Sequence, residues 1–157
     1  MIRILAEYQG SPVRVQRAAA PVFRRVFQRT GEVWFRTMLP KHFTTQAARE
    51  YRYERRTRKY MMRKAKEKHH QKGLTWSGRS EREAKRMARI TATAKRATVK
   101  VSVPHYFTRS GQRKSYHMAR ELVAVSPADD AKLTRVFDTA ATHELNMLNV
   151  RELKQLV

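Results

Sequence analysis

Residues 89–103, RITATAKRATVKVSV, decide the fold class. Residues 89–94 and 98–103 each alternate small or β-branched apolar side chains with polar ones, and Lys95-Arg96 lies between the two runs. Alternation over about four to eight residues is typical of a half-buried strand, and two such runs with a short polar connection predict a β-hairpin. Pro104 should end the second run, because proline cannot donate a ladder hydrogen bond. The stretch therefore predicts a small antiparallel sheet.

A long helical segment precedes this hairpin. Apolar residues recur every three or four positions across residues 13–39, and Ser11-Pro12 supplies a serine N-cap and a proline for the first helical position. Pro21 should kink or restart the segment and Pro40 should end it, because a proline inside a helix removes a backbone hydrogen bond.

A second long helix is predicted after the hairpin. Ser126-Pro127-Ala128-Asp129 combines a capping serine, a proline at the first helical position and acidic residues in the first turn. An apolar stripe then runs along one face from Ala131 to Leu148. These features predict a closing C-terminal helix.

The other predicted elements are shorter. They are a strand at 2–8, a helix or part-helix at 46–60 capped at 43–45, a basic stretch at 59–72 ended by Gly73, a strand at 74–76, a helix at 82–88, a strand beginning at 105–107, a polar loop at 109–117 and a strand at 121–125. This order predicts an α+β fold: a small antiparallel sheet packed by long helices, with a basic N-terminal helical region and a C-terminal helix. We expect a basic arm at 1–42, a core domain at 43–148 and a tail at 149–157.

The charge is large and unevenly distributed. The 157 residues carry 35 Lys and Arg against 13 Asp and Glu, a formal net charge of +22, and the excess lies entirely before residue 119. Solubility needs only about 2–8 net charges in a small domain, so the excess predicts a polyanionic partner: DNA, RNA or an acidic protein surface. There is no cysteine to form disulfides or thiolate metal sites. We expect no signal peptide and no membrane contact.

Residues 49–72 hold eleven of the basic residues and three acids, with Tyr51, Tyr53 and Tyr60 between them. Arginine and lysine neutralise phosphates, and tyrosine rings can stack on bases or pack under arginine. The alternative is a solvated face whose tyrosines belong to the core. The candidate nucleic-acid or acidic-partner contacts are Arg49, Arg52, Arg55, Arg56, Arg58, Lys59, Arg63, Lys64, Lys66 and Lys68, and, in the polar loop, Arg109, Arg113 and Lys114.

Catalytic and metal-binding patterns are not evident. His69, His70, His105, His117 and His143 follow no metal-ligand spacing, and the chain has neither a GxSxG elbow nor a glycine-rich phosphate loop. Acidic residues are few in the basic region, whereas a metal nuclease needs clustered carboxylates. We expect a non-enzymatic protein without a metal or cofactor.

Several segments carry a family resemblance. Phe43-Thr44-Thr45 with Ala47-Ala48, then Tyr51-Arg52-Tyr53 and Arg58-Lys59-Tyr60, lead through a basic helix to Leu74-Thr75-Trp76-Ser77-Gly78-Arg79. This order resembles neck and tail-completion proteins of tailed bacteriophages, in which a basic helical segment precedes a leucine and aromatic step ending in Ser/Thr-Gly-Arg, followed by strands and a closing helix. The resemblance covers roughly residues 43–148, and the first 42 residues form a longer basic arm than the pattern requires.

The resemblance implies an α+β subunit of the virion, assembled in the host bacterial cytoplasm into a cyclic homo-oligomeric ring. Such a ring is expected to contact portal or adaptor and tail proteins. Its basic residues would face either the phosphates of the threading double-stranded DNA, in a contact independent of sequence, or acidic patches on adjoining rings. A ribosomal or other RNA-binding structural protein is the alternative, on the strength of the basic composition and small size. A DNA-binding regulator is less well supported, because no helix-turn-helix is evident. The ring hypothesis also predicts that Arg55→Glu with Arg56→Glu blocks particle completion without disturbing the fold.

Overall fold

The computed structural model describes residues 2–5, 13–86, 88–104, 107 and 118–147, with the backbone alone for 2–5 and 13–18. The helices are α1 (Val13–Val33), α2 (Ala47–Glu50), α3 (Arg58–Lys68), α4 (Arg79–Arg86), α5 (Met118–Leu122) and α6 (Pro127–Asn146), and the strands are β1 (Ile2–Leu5), β2 (Ala88–Ala92) and β3 (Arg96–Val101). Mostly helical structure with a small antiparallel sheet and a C-terminal helix confirms the predicted α+β class.

The chain folds into two compact units that each draw on separate stretches of sequence. The first unit comprises the described residues of 1–34, 89–100 and 128–157, and the second those of 35–88 and 101–127. The segments expected from the sequence, 1–42, 43–148 and 149–157, stay a prediction.

The sheet of the first unit has the strand order β1-β3-β2, with β3 in the centre. β1 runs antiparallel to β3 in a register that pairs Ile2 with Val99 and Leu5 with Arg96. The β2–β3 hairpin is confirmed, but its turn begins two residues earlier than the sequence suggested. Thr93 N–H donates to Arg96 O at 2.8 Å, and Thr93 Oγ1 accepts from the N–H groups of Lys95 and Arg96. This threonine closes the turn, so residues 93–95 belong to neither strand.

The core of the first unit lies between α1 and α6. Val22, Val26 and Ala140 are buried together, and the rings of Phe27 and Phe137 lie 5.1 Å apart. Helix α1 continues through Pro21, so the predicted restart is wrong. An internal proline costs a helix about 3 kcal/mol, and burial of apolar side chains on the following turn offsets that cost.

A glycine allows α1 to approach the sheet closely. A Cβ atom at Gly31 would lie 3.1 Å from Ile90 Cγ2 and 3.3 Å from Val99 Cγ2. Those distances are shorter than ordinary van der Waals contacts, so a larger side chain at this position would force the helix and the sheet apart.

Two short irregular helices follow α1 and, apart from Trp34, belong to the second unit. Trp34–Met38 is a π-helical turn, and Leu39–Phe43 is a 3₁₀ helix with Pro40 in its first turn. The expectation that Pro40 ends the element is therefore wrong, since a proline lacks an N–H that the first turn leaves unbonded anyway. Met38, Leu39 and Phe43 are buried and form part of the core of this unit.

Two predicted strands are wrong. Residues 74–76 form a turn and an irregular segment, and Leu74 has φ 44°, which is incompatible with a strand. Residues 121–125 lie in the end of α5 and the turn that follows it. Glu121 and Leu122 are both buried there. A short apolar run is compatible with either a strand or a helix, and tertiary contacts decide between them.

The predicted helix at 46–60 is interrupted. It comprises only α2 and the start of α3, with Arg52 at φ 52° between them. The predicted cap at 43–45 is wrong, because Gln46 precedes α2 and makes no side-chain cap. Thr57 caps α3 instead, its Oγ1 accepting from Tyr60 N–H at 3.3 Å. α3 ends at Lys68, where His69 takes a left-handed conformation, rather than continuing to Lys72.

Other expectations hold with small shifts. The strand predicted at 2–8 is confirmed for residues 2–5, and its remainder lies outside the described residues. The α6 start at Pro127 is confirmed, and α4 begins three residues before the predicted 82. The stripe on α6 is narrower than expected, since Leu133 and Ala140 are buried whereas Ala131 and Leu145 are exposed. The predicted helix start at Ser11-Pro12, the loop at 109–117 and the tail at 149–157 lie outside the described residues, as do His105 and Tyr106. Phe107 is buried in a 3₁₀ turn rather than a strand.

Candidate functional site

A concave pocket of about 730 Å³ opens on the second unit. Its walls come from the segment joining α2 to α3, from one face of α3, from residues 71–76 and from Met118 at the start of α5. Most of these elements are irregular or short, so their positions depend on side-chain contacts across the unit.

Seven of the eighteen residues that line this pocket are basic. Arg49, Arg55, Arg58, Arg63 and Lys72 are exposed around it, and Arg56 and Lys64 lie deeper. Glu54 is the one acidic residue among the lining residues. Like charges this close raise the local positive potential, and the concave shape concentrates that potential on whatever enters.

An ion pair holds the wall that precedes α3. The side chains of Arg56 and Glu121 are 16% and 9% exposed, and the guanidinium donates to both carboxylate oxygens, at 3.0 and 2.5 Å. Glu121 Oε1 also accepts from Glu54 N–H at 2.9 Å, and Arg56 donates to Glu54 O at 2.8 Å. This bidentate pair joins residues 65 positions apart in sequence and fixes α5 against the pocket wall.

Lys64 is a buried lysine at the inner end of the pocket. The residue is 3% exposed, and its ammonium donates to Lys72 O. Burial, and then the nearby Arg56 guanidinium, lower the pKa of Lys64 to about 8. Both causes disfavour the charged amine.

An aromatic pair forms the apolar side of the pocket. The rings of Tyr60 and Trp76 lie 5.5 Å apart. Arg63 and Lys68 lie over the Trp76 ring, at 5.0 and 5.7 Å from its centroid, and the Lys64 ammonium lies 5.7 Å from the Tyr60 centroid. Met61, Leu74 and Met118 extend this apolar lining. Cations over aromatic faces are stabilised by the ring quadrupole, so these rings help to hold the basic side chains in place.

A histidine and two tyrosines support the opposite wall. His42 is fully buried, its ring stacks on Tyr51 at 3.9 Å, and its Nδ1 lies 2.5 Å from the Tyr53 hydroxyl. Burial, and then the Glu121 carboxylate, raise the pKa of Tyr53, so its phenol stays neutral. Tyr51 therefore belongs to the core, as the alternative interpretation of the tyrosines predicted, and Tyr53 lines the pocket.

One buried polar atom of the wall is unbonded. Thr75 is 3% exposed, and its Oγ1 has no hydrogen-bond partner among the residues that the structure describes. A buried hydroxyl without a partner costs about 1–3 kcal/mol. Thr75 lines the pocket. Its Oγ1 is closed to solvent, so the pocket reaches other atoms of this residue.

The structure brings together part of the candidate set taken from the sequence. Arg49, Arg55, Arg56, Arg58, Arg63 and Lys64 line the pocket, whereas Arg52, Lys59, Lys66 and Lys68 do not, although Lys68 lies over Trp76. Arg109, Arg113 and Lys114 lie outside the described residues. Sequence reasoning missed the roles of Lys72, Trp76, Thr75 and Glu121. The excess of basic residues did not point to Glu121, because its partner Arg56 lies 65 positions away in the sequence.

Arg56 requires one correction. A glutamate at this position would place a carboxylate against Glu121 in a nearly buried site. We therefore expect Arg55→Glu with Arg56→Glu to disturb the fold through Arg56, which pairs with Glu121, whereas Arg55 is exposed.

Two further observations concern metal sites and membranes. In the described part of the chain, no three His, Asp or Glu side chains are grouped so that they could hold a metal ion. The helices there are also too short or too polar to cross a lipid bilayer.

Comparisons with known proteins identify no relative. No protein-family model, curated protein sequence or solved structure matches this chain.

Proposed function

We propose that this protein is a structural subunit of a tailed-bacteriophage virion, at the head-to-tail junction or in the tail-completion complex. In this role it assembles with copies of itself into a ring and contacts portal or adaptor proteins, tail proteins and the DNA that threads the ring. The observation that carries the proposal is the group of exposed cations, Arg49, Arg55, Arg58, Arg63 and Lys72, gathered on one unit of an α+β fold.

The distribution of charge supports polyanion contact rather than mere solubility. Residues 1–118 carry a formal net charge of +23, whereas residues 119–157, which include α6, carry −1. Contacts with phosphates position a protein on DNA without reading its sequence. A sequence-independent contact is what a passing genome requires.

The surroundings of Glu121 support binding rather than catalysis by this residue. Glu121 already accepts three hydrogen bonds, from Arg56 and from Glu54 N–H, so it is held as a structural anion. A general base needs free lone pairs within reach of its substrate. Glu121 is also 8% exposed, which keeps it from the pocket opening.

The resemblance of residues 43–79 to phage neck and tail-completion proteins supports the particular assembly. That family pattern requires a basic helical segment before the leucine and aromatic step, and here α3 precedes Leu74 and Trp76. In this chain the same two segments pack together at the apolar side of the pocket, since the rings of Tyr60 and Trp76 lie 5.5 Å apart.

The test is the mass of the purified, nuclease-treated protein in high salt, by light scattering after size exclusion. We expect a discrete multimer of closed symmetry. Electron microscopy of that peak should show rings with a central opening. A strict monomer that gains mass only when RNA is added would contradict the proposal and favour the RNA-binding alternative.

A second measurement checks the DNA contact. The affinity for duplex DNA should fall with salt in proportion to the number of phosphates neutralised, with a slope of about −0.9 per phosphate. Arg55→Gln should reduce that slope by about one, with a similar loss for unrelated DNA sequences. A loss confined to one DNA sequence would contradict backbone contact.

A further inference from the structure

The pocket of the second unit has a shape that duplex DNA cannot fill. Its volume of about 730 Å³ lies in the range of about 300–1,000 Å³ that is usual for ligand pockets. A duplex, with a major groove alone about 12 Å wide, can lie across the opening but cannot enter. The interior is therefore available to a single extended chain or a small molecule.

We propose that this pocket binds a short acidic peptide segment of a partner protein, with an apolar side chain between its carboxylates. The inference rests on the proposed structural role for its partner, a neighbouring virion protein. It does not depend on ring formation by this chain.

Charge complementarity indicates the acidic character of the segment. The exposed arginines Arg49, Arg55, Arg58 and Arg63 surround the pocket, and Glu54 is the one acid in its lining. A guanidinium binds a carboxylate through two parallel hydrogen bonds, which adds geometric specificity to the attraction.

The apolar wall of the pocket indicates that the peptide carries an apolar side chain between its carboxylates. Tyr60, Met61, Leu74, Trp76 and Met118 line the same pocket as the arginines. A phosphate backbone has no group that fills an apolar wall, whereas a leucine or phenylalanine does so with a gain of about 25 cal/mol for each Å² of apolar surface removed from water. Methionines adapt to varied apolar partners, which suits a peptide site.

The covered aromatic rings disfavour single-stranded nucleic acid. Stacked bases need open aromatic faces. Here Arg63 and Lys68 lie over Trp76, and Lys64 lies near the Tyr60 ring. A base would have to displace at least one cation from the ring it stacked on, whereas a carboxylate binds those cations where they are.

The test uses fluorescence anisotropy of the full chain with a labelled short peptide that alternates acidic residues with leucine and phenylalanine. The pocket variant is Arg58→Gln with Arg63→Gln. The matched control is Lys59→Gln with Lys66→Gln, which removes the same charge from exposed positions of the same segment outside the pocket. We expect the pocket variant to lose about tenfold in peptide affinity and the control less than about twofold.

The two ligand controls decide the chemistry. The same peptide with glutamine and asparagine in place of its acids should bind at least about tenfold more weakly. Duplex DNA should bind both variants equally, because it contacts the whole basic surface. Equal peptide affinity for the two variants would overturn the proposal. It would also be overturned if a single-stranded oligonucleotide competed for the pocket and its affinity, but not that of the peptide, differed between the variants.

The native mass separates this inference from the proposed function. A protein that forms a closed multimer but does not discriminate the acidic peptide refutes the pocket inference alone. A protein that binds the peptide through the pocket yet stays monomeric in high salt refutes ring assembly and leaves the pocket inference standing.

Discussion

Arg55 and Arg56 are adjacent and carry the same charge, but the structure gives them different surroundings. Arg55 is exposed at the pocket. Arg56 is bonded to both oxygens of Glu121 and to Glu54 O. The substitutions Arg55→Gln and Arg56→Gln remove the same charge one position apart. We expect them to change the free energy of unfolding by very different amounts.

The magnitude follows from what each substitution leaves behind. Arg56→Gln removes two donors from Glu121, whose side chain is 9% exposed, and leaves it the Glu54 N–H at 2.9 Å. Removing one partner of a buried pair costs about 3–5 kcal/mol, and the remaining donor places this case near 3. Arg55→Gln should stay within about 0.5 kcal/mol, as is usual for exposed positions. With a slope of about 2 kcal/mol per molar urea, the midpoints should fall by about 1.5 M and less than about 0.3 M.

The assay is urea unfolding followed by far-UV circular dichroism and by tryptophan emission, since Trp76 lies in the same unit as the ion pair. Arg56→Met with Glu121→Leu removes both charges together and should recover most of the loss, because no buried charge is then left unpaired. Equal urea midpoints for Arg55→Gln and Arg56→Gln would refute the structural role of Arg56.

Three further predictions concern other residues of the second unit. Because the pKa of Lys64 is lowered to about 8, the unfolded chain holds more protons than the folded one between pH 8 and the ordinary lysine value of 10.5. The free energy of unfolding should therefore rise by about 2 kcal/mol from pH 7 to pH 10. Lys64→Met should abolish that rise, measured by urea titrations at each pH. A variant with the same pH dependence as the unsubstituted protein would contradict the prediction. His69→Gly should raise the free energy of unfolding by about 0.5–1 kcal/mol, because exposed His69 has φ 52°, a conformation that glycine adopts without strain. The gain should appear as a higher midpoint of thermal unfolding. His70→Gly, without a positive φ, should show no gain. Gly73→Ala should destabilise the protein by about 1–2 kcal/mol in urea, because its Cβ would lie 3.1 Å from His42 O and from Ala47 Cβ. An unchanged free energy of unfolding would contradict this prediction and show that the backbone around Gly73 can shift.

Local pattern was sufficient for some elements. The β2–β3 hairpin and the start of α6 followed from alternation and from a serine and proline pair, since both signals act between residues close in sequence. The strands predicted at 74–76 and 121–125 were wrong because contacts with residues outside each run decide the conformation there. Leu74 is held in a turn where its carbonyl accepts from Ser80 Oγ at 2.7 Å, and Glu121 is held in a helix by Arg56. Neither partner is visible in the local run.

The candidate site was predictable in composition but not in geometry. The basic stretch and its tyrosines were evident in residues 49–72. The pocket itself needs Trp76, Thr75 and Met118, which come from later segments. Helical spacing alone could not show that Tyr51 packs on buried His42 while Tyr53 faces the pocket, because the chain turns at Arg52 between α2 and α3.

The sequence by itself determined the α+β class and the chain segment that carries the charge, because these depend on composition and short-range periodicity. A polyanionic partner stays a prediction from that charge. Only the tertiary structure decided which cations remain available to a partner. Arg55 is exposed, Arg56 is neutralised by Glu121 from 65 residues away, and Lys64 is buried with a lowered pKa. The physical reason is that desolvation and ion pairing depend on neighbours in space, and folding brings those neighbours from distant parts of the chain.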